Sequence, residues 1–200
     1  MTTIVLLSAL AAQTLGAFAA VNDPTKGPVN DYVGTVAIHA YQDSNSDVGH
    51  CFLTIKNTTS SPLFVGHVTL YAGQTFSVGT WNTQIHVGIF YNYEHYSNWD
   101  WIGNPAVSLS TPVTDLELET IHSALRTPSN NSYGSFFTSA SFAAAIWNCF
   151  APTGLQVTNS WANNAVYASI ACKSGAVYSS SIPNNANVGY VQNNVFIGLP

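Results

Sequence analysis

The first half of the chain alternates between apolar and polar positions, which is the pattern of half-buried β-strands. Val, Ile, Thr and aromatic residues are concentrated in short segments that polar turns separate. The strands expected from this pattern are 32–41, 49–56, 63–71, 75–80 and 86–93. The turn at 57–62 further predicts that the second and third strands form a hairpin.

The second half of the chain changes to a helical pattern. The expected helices are 114–126, 139–149 and 161–172, and 188–197 adds a last strand. Thr114 and Glu117 form a capping box at the start of the first helix. The second helix is apolar on nearly all sides and is therefore expected to be buried. Strands followed by helices predict a single α+β domain, in which an antiparallel sheet packs against helices.

The composition argues against several classes of partner. The chain has 200 residues, of which 46% are apolar and 6% are charged, and its formal net charge is -5. It contains four Lys and Arg residues in total. A nucleic acid backbone or an anionic membrane surface is bound by several clustered cations, so we expect neither as a partner.

Residues 1–19 are typical of a secretory signal peptide. An apolar stretch begins at Ile4, and Ala17 and Ala19 give the small-residue pattern that signal peptidase accepts. The alternative is a buried N-terminal helix, since no Lys or Arg precedes the apolar stretch. No later stretch is apolar over the roughly 20 residues that a membrane-spanning helix needs. The sequence therefore predicts a secreted domain at 20–200 without a membrane span.

Cysteines and sequons fit a secreted chain. Cys149 and Cys172 are the expected disulfide, because each closes a predicted helix, and Cys51 is then left over. Sequons for N-glycosylation begin at Asn57 and Asn130, which predicts a glycoprotein if the chain passes through a eukaryotic secretory pathway. No metal-binding spacing such as HxxxH or CxxC occurs, so we expect no metal site.

Two places carry residues suited to nucleophilic catalysis. His50 begins a strand directly after a polar turn, where it is placed to act as a general base. Ser139 lies in the first turn of the buried helix. Free backbone N–H groups and the helix dipole favour negative charge at that point, so they can stabilise an oxyanion on a substrate. Ser139 also fits an ordinary N-cap, and His50 a structural strand histidine.

Several short motifs resemble, in the same order, those of the circularly permuted papain-like hydrolases. This superfamily includes cell-wall peptidases and the lecithin:retinol acyltransferase group. The motifs are Gly49-His50-x-Phe52, Val78-Gly79-Thr80-Trp81, His86-x-Gly88-Ile89-Phe90-Tyr91-Asn92-x-Glu94 and Ser141-Phe142-Ala143-x-x-Ile146-Trp147-Asn148. The resemblance spans Gly49 to Cys172. It implies a papain-like fold and cofactor-free hydrolysis of amide or ester bonds in a peptide, cell-wall or ester substrate.

Residue by residue, the resemblance places His50 on the catalytic base and Ser139 on the nucleophilic cysteine. Thr138 falls on the Asn that usually precedes that cysteine. A helix dipole tunes a thiol to a thiolate but does not deprotonate an alcohol. Ser139 would therefore need His50 as a true base, with a third group holding the imidazole.

The third group is expected from the hairpin that follows the His50 strand. A turn at 57–62 places Thr69 opposite His50, with His67 two residues away on the same face. Both can hydrogen-bond an imidazole; His67 is slightly preferred, and the choice stays open. Trp81, His86 and Thr138 are the expected lining of the cleft.

The departure at Ser139 leaves a second hypothesis of equal standing. The chain is then a catalytically inactive descendant of the same fold, and its cleft binds a glycan or peptide without cutting it. A purely structural wall or matrix role is less well supported, because the sequence contains no repeats or low-complexity tracts.

Overall fold

The computed structural model describes residues 31–42, 49–96, 106–127, 138–179 and 187–200. The predicted signal peptide at 1–19 and the sequon at Asn130 lie outside these ranges.

One large antiparallel sheet dominates the described residues. The strands are β1 Tyr32–Gln42, β2 Gly49–Asn57, β3 Leu63–Val65, β4 Val68–Leu70, β5 Thr75–Asn82, β6 Val87–Tyr91, β7 Ala106–Thr114, β8 Val177–Ser179, β9 Gly189–Gln192 and β10 Val195–Gly198. Eight strands form the sheet in the order β10-β9-β6-β5-β2-β1-β7-β8, and β3 with β4 form a separate hairpin. The helices are α1 Tyr93–Tyr96, α2 Asp115–Arg126, α3 Ser139–Phe150 and α4 Asn163–Ala171. The predicted α+β fold is confirmed.

The alternation along β2 divides the sheet into two faces. Cys51, Leu53 and Ile55 belong to the apolar core that the three longer helices cover. Neighbouring side chains on a strand point to opposite faces, so His50 and Phe52 lie on the other face. We call these two surfaces the helix face and the polar face of the sheet.

The two helices with the clearest sequence signals form where they were expected. Thr114 accepts a hydrogen bond from the backbone of Glu117, and the Glu117 side chain bonds back to Thr114, so the predicted capping box is present. Helix α3 is buried along most of its length, as its all-round apolar pattern predicts. Its Trp147 is fully buried and donates its indole N–H to the Leu155 carbonyl at 2.8 Å.

The predicted strand 63–71 is wrong, and so is the hairpin that joined it to β2. The segment folds back on itself at Gly66, whose φ of +59° lies in the left-handed region that glycine adopts readily. Its halves, β3 and β4, pair only with each other, while β2 pairs with β1 and β5.

Three further segments differ from the sequence prediction. Strand β7 was not expected, and its Pro112 weakens the strand pattern. The tail forms two strands, β9 and β10, because Asn193 and Asn194 both have positive φ and make a tight hairpin turn. Helix α4 begins at Asn163, two residues after the expected start, and Ser160 is not its cap.

The predicted disulfide between Cys149 and Cys172 is wrong, since both residues are exposed free thiols in the structure. The sequon at Asn57 is fully buried, and its side-chain amide donates to the carbonyls of Ser61 and Leu70. No helix in the described ranges combines the length and the hydrophobicity needed to cross a bilayer.

Candidate functional site

His50 lies at the start of β2 with its ring on the polar face. The residue is 4% exposed, and its imidazole packs against two aromatic rings. Its centroid lies 3.9 Å from that of Trp81 and 5.8 Å from that of Phe52. These two contacts restrict the directions in which the ring nitrogens can point.

Glu94 is the residue that meets the His50 imidazole. It belongs to the short helix α1 directly after β6, and its side chain is fully buried. One carboxylate oxygen, Oε1, accepts from Trp81 Nε1 at 3.2 Å and from His50 Nε2 at 3.4 Å. The other oxygen accepts a short hydrogen bond from the Ser77 hydroxyl. A buried carboxylate is thus surrounded by donors, as an acceptor-only group requires.

The Glu94 contact fixes the chemical role of each His50 nitrogen. A carboxylate accepts hydrogen bonds, so Nε2 carries the proton and donates to Glu94. In the neutral ring Nδ1 is then the acceptor. No described residue forms a hydrogen bond with Nδ1, which leaves it available to accept a proton from a hydroxyl group.

Ser139 occupies the first position of α3, next to the backbone of β2. Its hydroxyl accepts from the Cys51 amide at 3.3 Å and donates to Asn163 Oδ1 at 3.2 Å. Asn163 in turn donates to the Gly49 carbonyl at 2.7 Å. The structure therefore places the Ser139 hydroxyl beside the peptide unit that links His50 to Cys51, but not in hydrogen-bond contact with the imidazole.

The N-cap of α3 is Thr138, so Ser139 is not the capping residue. The Thr138 hydroxyl accepts from the Ser141 amide, and the Ser141 side chain accepts from the Thr138 amide at 3.0 Å. Thr138 also donates to the Trp161 carbonyl at 2.7 Å. Its position in the cap accounts for Thr138 without a role in a cleft.

Cys51 adjoins both candidate residues and is not a nucleophile. Its side chain is fully buried in the core of the helix face. Burial raises the pKa of its thiol far above the ordinary value. Since the His50 ring lies on the other face of β2, the imidazole does not point at this sulfur.

The structure places His67 and Thr69 away from the imidazole, which contradicts the predicted register. His67 lies in the turn between β3 and β4, with Nδ1 3.2 Å from the Tyr91 hydroxyl and Nε2 donating to Asn194 Oδ1 at 2.7 Å. Burial lowers the pKa of His67. Thr69 is exposed on β4. Neither residue bonds to His50, because β2 pairs with β5 instead of this hairpin.

Glu94 is the residue of the candidate site that sequence reasoning missed. It stood at the end of the motif Asn92-x-Glu94, so the signal was present in the chain. No strand register predicts it, because its carboxylate comes from a four-residue helix that follows β6. Trp81 was an expected lining residue, and it contacts both members of the His50–Glu94 pair.

His86 occupies a different part of the sheet. Its ring stacks on the Tyr190 ring of β9, with the two ring centroids 4.6 Å apart. The centroid of the Phe90 ring lies 5.9 Å from that of His86. These aromatic contacts give it a packing role between β6 and β9.

A second buried imidazole, His39, shares the polar face with His50. Its Nδ1 lies 3.0 Å from Ser108 Oγ, its Nε2 lies 2.8 Å from Thr54 Oγ1, and its ring stacks on Phe52 at 4.7 Å. Burial lowers the pKa of His39 to about 4, and the charge of Glu94 opposes this effect in part. Both nitrogens are occupied, so this ring is a neutral structural element.

Among the described residues, no group of three or more His, Cys, Asp or Glu side chains is arranged to hold a metal ion.

Comparison of the chain with protein-family models, curated proteins and solved structures finds no match. The assignment of a function therefore depends on the geometry of the site and on the resemblance of the motifs.

Proposed function

We propose that this chain hydrolyses amide or ester bonds, with Ser139 as nucleophile, His50 as general base and Glu94 as the group that orients His50. The observation that carries the proposal is the buried His50–Glu94 pair. It fixes the imidazole through Nε2, and within the described ranges no residue bonds to Nδ1. This is the third group that a serine nucleophile requires.

The reaction begins with a rotation of the Ser139 side chain. In the resting structure its hydroxyl is held by Asn163 and by the Cys51 amide, and rotation about χ1 releases both contacts. His50 Nδ1 then takes the hydroxyl proton as the oxygen attacks the carbonyl carbon of the substrate. The imidazolium returns that proton to the leaving group, and a water molecule completes hydrolysis of the acyl-enzyme.

Helix α3 supplies the stabilisation of negative charge. The first intrahelical bond runs from the Phe142 amide to the Thr138 carbonyl, so the Ser139 and Ala140 amides precede the bonded part of the helix. These N–H groups have no intrahelical partner, and together with the positive end of the helix dipole they can hold the oxyanion of a tetrahedral intermediate.

The second candidate function is ligand binding without turnover, in an inactive descendant of the same fold. The hydrogen bonds of the Ser139 hydroxyl favour this binding function. Its hydroxyl already joins three segments, because it meets β2 at Cys51 and α4 at Asn163 while belonging to α3. A serine kept for this bridging role would have replaced a reactive cysteine for structural reasons.

Secretion is part of the first proposal and is supported by the sequence pattern at 1–19. We expect expression in a secretory host to release a chain that has lost this segment. N-terminal sequencing of the protein from the medium tests the expectation. A chain that stays in the cell with Met1 intact would contradict it.

Labelling with a fluorophosphonate separates the two functions. The reagent phosphonylates a serine that a histidine activates, and mass spectrometry of the digested protein locates the adduct. The hydrolase proposal predicts an adduct on Ser139 that disappears in Ser139→Ala and persists in Ser110→Ala, a control at an exposed position of β7. Removal of the base in His50→Ala should slow labelling about 100-fold or more.

Turnover completes the test. We expect a short ester such as p-nitrophenyl acetate to be hydrolysed by the wild type above the rate of Ser139→Ala. No adduct on Ser139 together with equal rates for the two proteins would overturn the hydrolase proposal and leave the binding function. An adduct on another serine would also reject Ser139 as the nucleophile.

A further inference from the structure

Gly79 lies inside a central strand, where glycine is an unfavourable residue. It is a buried residue of β5 and pairs with Phe90 of β6. Glycine in a strand loses backbone entropy and contributes no side-chain packing, so its presence often marks a close approach. Its φ lies outside the left-handed region, since the described glycines with positive φ are Gly66, Gly73, Gly88 and Gly175. The backbone conformation therefore does not require glycine here.

The space above Gly79 is filled by the His50–Glu94 contact. A Cβ atom at position 79 would lie 2.5 Å from Glu94 Oε1, 3.1 Å from His50 Nε2 and 3.2 Å from Phe52 Cβ. The first two atoms are the ones that join the pair. A methyl group would therefore enter the pair at its hydrogen bond.

The groups around the pair leave little room for adjustment. Glu94 is also bonded by Ser77 and Trp81, and the His50 ring is packed against Trp81 and Phe52. A side chain at position 79 is accommodated by moving the carboxylate or by turning the imidazole. Either movement lengthens the 3.4 Å contact between Nε2 and Oε1.

We infer that Gly79 is a positioning residue, whose missing side chain allows the Glu94 carboxylate to hold the His50 imidazole. The inference about the pair stands on geometry alone. Its consequence for catalysis rests on the proposed function. Gly79 acts through His50 and Glu94 and need not contact the substrate.

The test compares Gly79→Ala with Gly198→Ala. Gly198 also lies in a strand, β10, but a Cβ atom there meets nothing within 4 Å. The readout is the ¹⁵N spectrum of the His50 ring, which reports which nitrogen carries the proton. We expect Gly79→Ala to lose the Nε2–H signal of the wild type and to slow fluorophosphonate labelling of Ser139 by about 100-fold. Gly198→Ala should match the wild type in both measurements.

An unchanged His50 spectrum in Gly79→Ala would overturn the inference. If Gly79→Ala does not fold, the double variant Gly79→Ala/Glu94→Asp tests the inference instead. The shorter Asp side chain leaves room for the added methyl group. The inference predicts that this second substitution restores folding, and a double variant that remains unfolded contradicts it. A changed His50 spectrum in a protein whose wild type never labels would uphold the inference and reject the proposed hydrolase.

Discussion

The two faces of the central sheet are built from the same strands but hold different chemistry. The helix face is an apolar core of aliphatic and aromatic side chains, to which β2 contributes Cys51, Leu53 and Ile55. The polar face carries buried imidazoles, aromatic rings and the carboxylate of Glu94, joined by stacking and hydrogen bonds. The helix face stabilises the fold by excluding water from apolar surface. The polar face instead keeps titratable groups in fixed geometry.

Strand β2 supplies both faces because its side chains alternate. His50 and Cys51 are neighbours in sequence, yet the imidazole enters the polar face and the thiol enters the helix core. Ser139 meets the strand at the Cys51 amide, at the boundary between the two faces. A residue of the helix layer thus bonds to the backbone of the strand whose neighbouring side chain, His50, lies on the opposite face of the sheet.

The largest expected effect comes from breaking the helix face alone. Trp147→Ala removes a fully buried indole and should lower the free energy of unfolding by about 3–5 kcal/mol. Urea denaturation measures this loss, and the ¹⁵N signals of the His50 ring should remain as in the wild type. Trp161→Ala is the control, because that side chain is 63% exposed. Equal losses in the two variants would contradict the account of the core.

A weaker effect is expected from titrating the polar face. The pKa of His39 is about 4 in the folded protein and 6.5 as its ordinary value. The unfolded chain therefore binds this proton first as the pH falls, and folding stability declines between about pH 6.5 and 4. Above this window the neutral ring contributes its full stabilisation, and the loss from this group reaches about 3 kcal/mol.

Denaturation of the wild type and of His39→Gln at pH 7 and pH 4.5 isolates the contribution of His39 to the loss of folding stability. The variant should lose less stability than the wild type over the same interval, because it has no imidazole to protonate. Parallel losses in the two proteins would show that His39 is not held neutral by burial.

The smallest effect compares one threonine on each face. Thr80, on the helix face, has a buried hydroxyl with no hydrogen-bond partner in the described structure, whereas Thr54 bonds to His39 at 2.8 Å. Thr80→Val should raise the free energy of unfolding by about 1 kcal/mol, since it removes an unsatisfied polar group. Thr54→Val should lower it by about 1–2 kcal/mol. Thermal denaturation measures both changes, and we expect the melting temperature to rise in Thr80→Val and to fall in Thr54→Val. Shifts of the two melting temperatures in the same direction would contradict the difference between the two hydroxyl groups.

The elements with strong local signals could be predicted from the sequence. Alternation predicted β1 and β2, and the Thr114–Glu117 capping box predicted α2. The apolar pattern of α3 predicted its burial and put Ser139 in its first turn. These features depend on residues close in the chain, so a single sequence contains the information.

The partners of the site could not be predicted in the same way. The choice of His67 or Thr69 depended on a hairpin register, and Gly66 turns that segment away from β2. Glu94 reaches His50 across 44 positions of chain and from an irregular helical turn. Contacts of this kind depend on strand order, which the local pattern does not encode.

The two imidazoles of the polar face offer the most direct test of the central claim, that His50 activates Ser139. The measurement is the rate of fluorophosphonate labelling of Ser139 in His50→Gln and His39→Gln. The account predicts a fall of about 100-fold or more in the first variant and a rate close to the wild type in the second. A His50→Gln variant that labels as fast as the wild type would contradict the account.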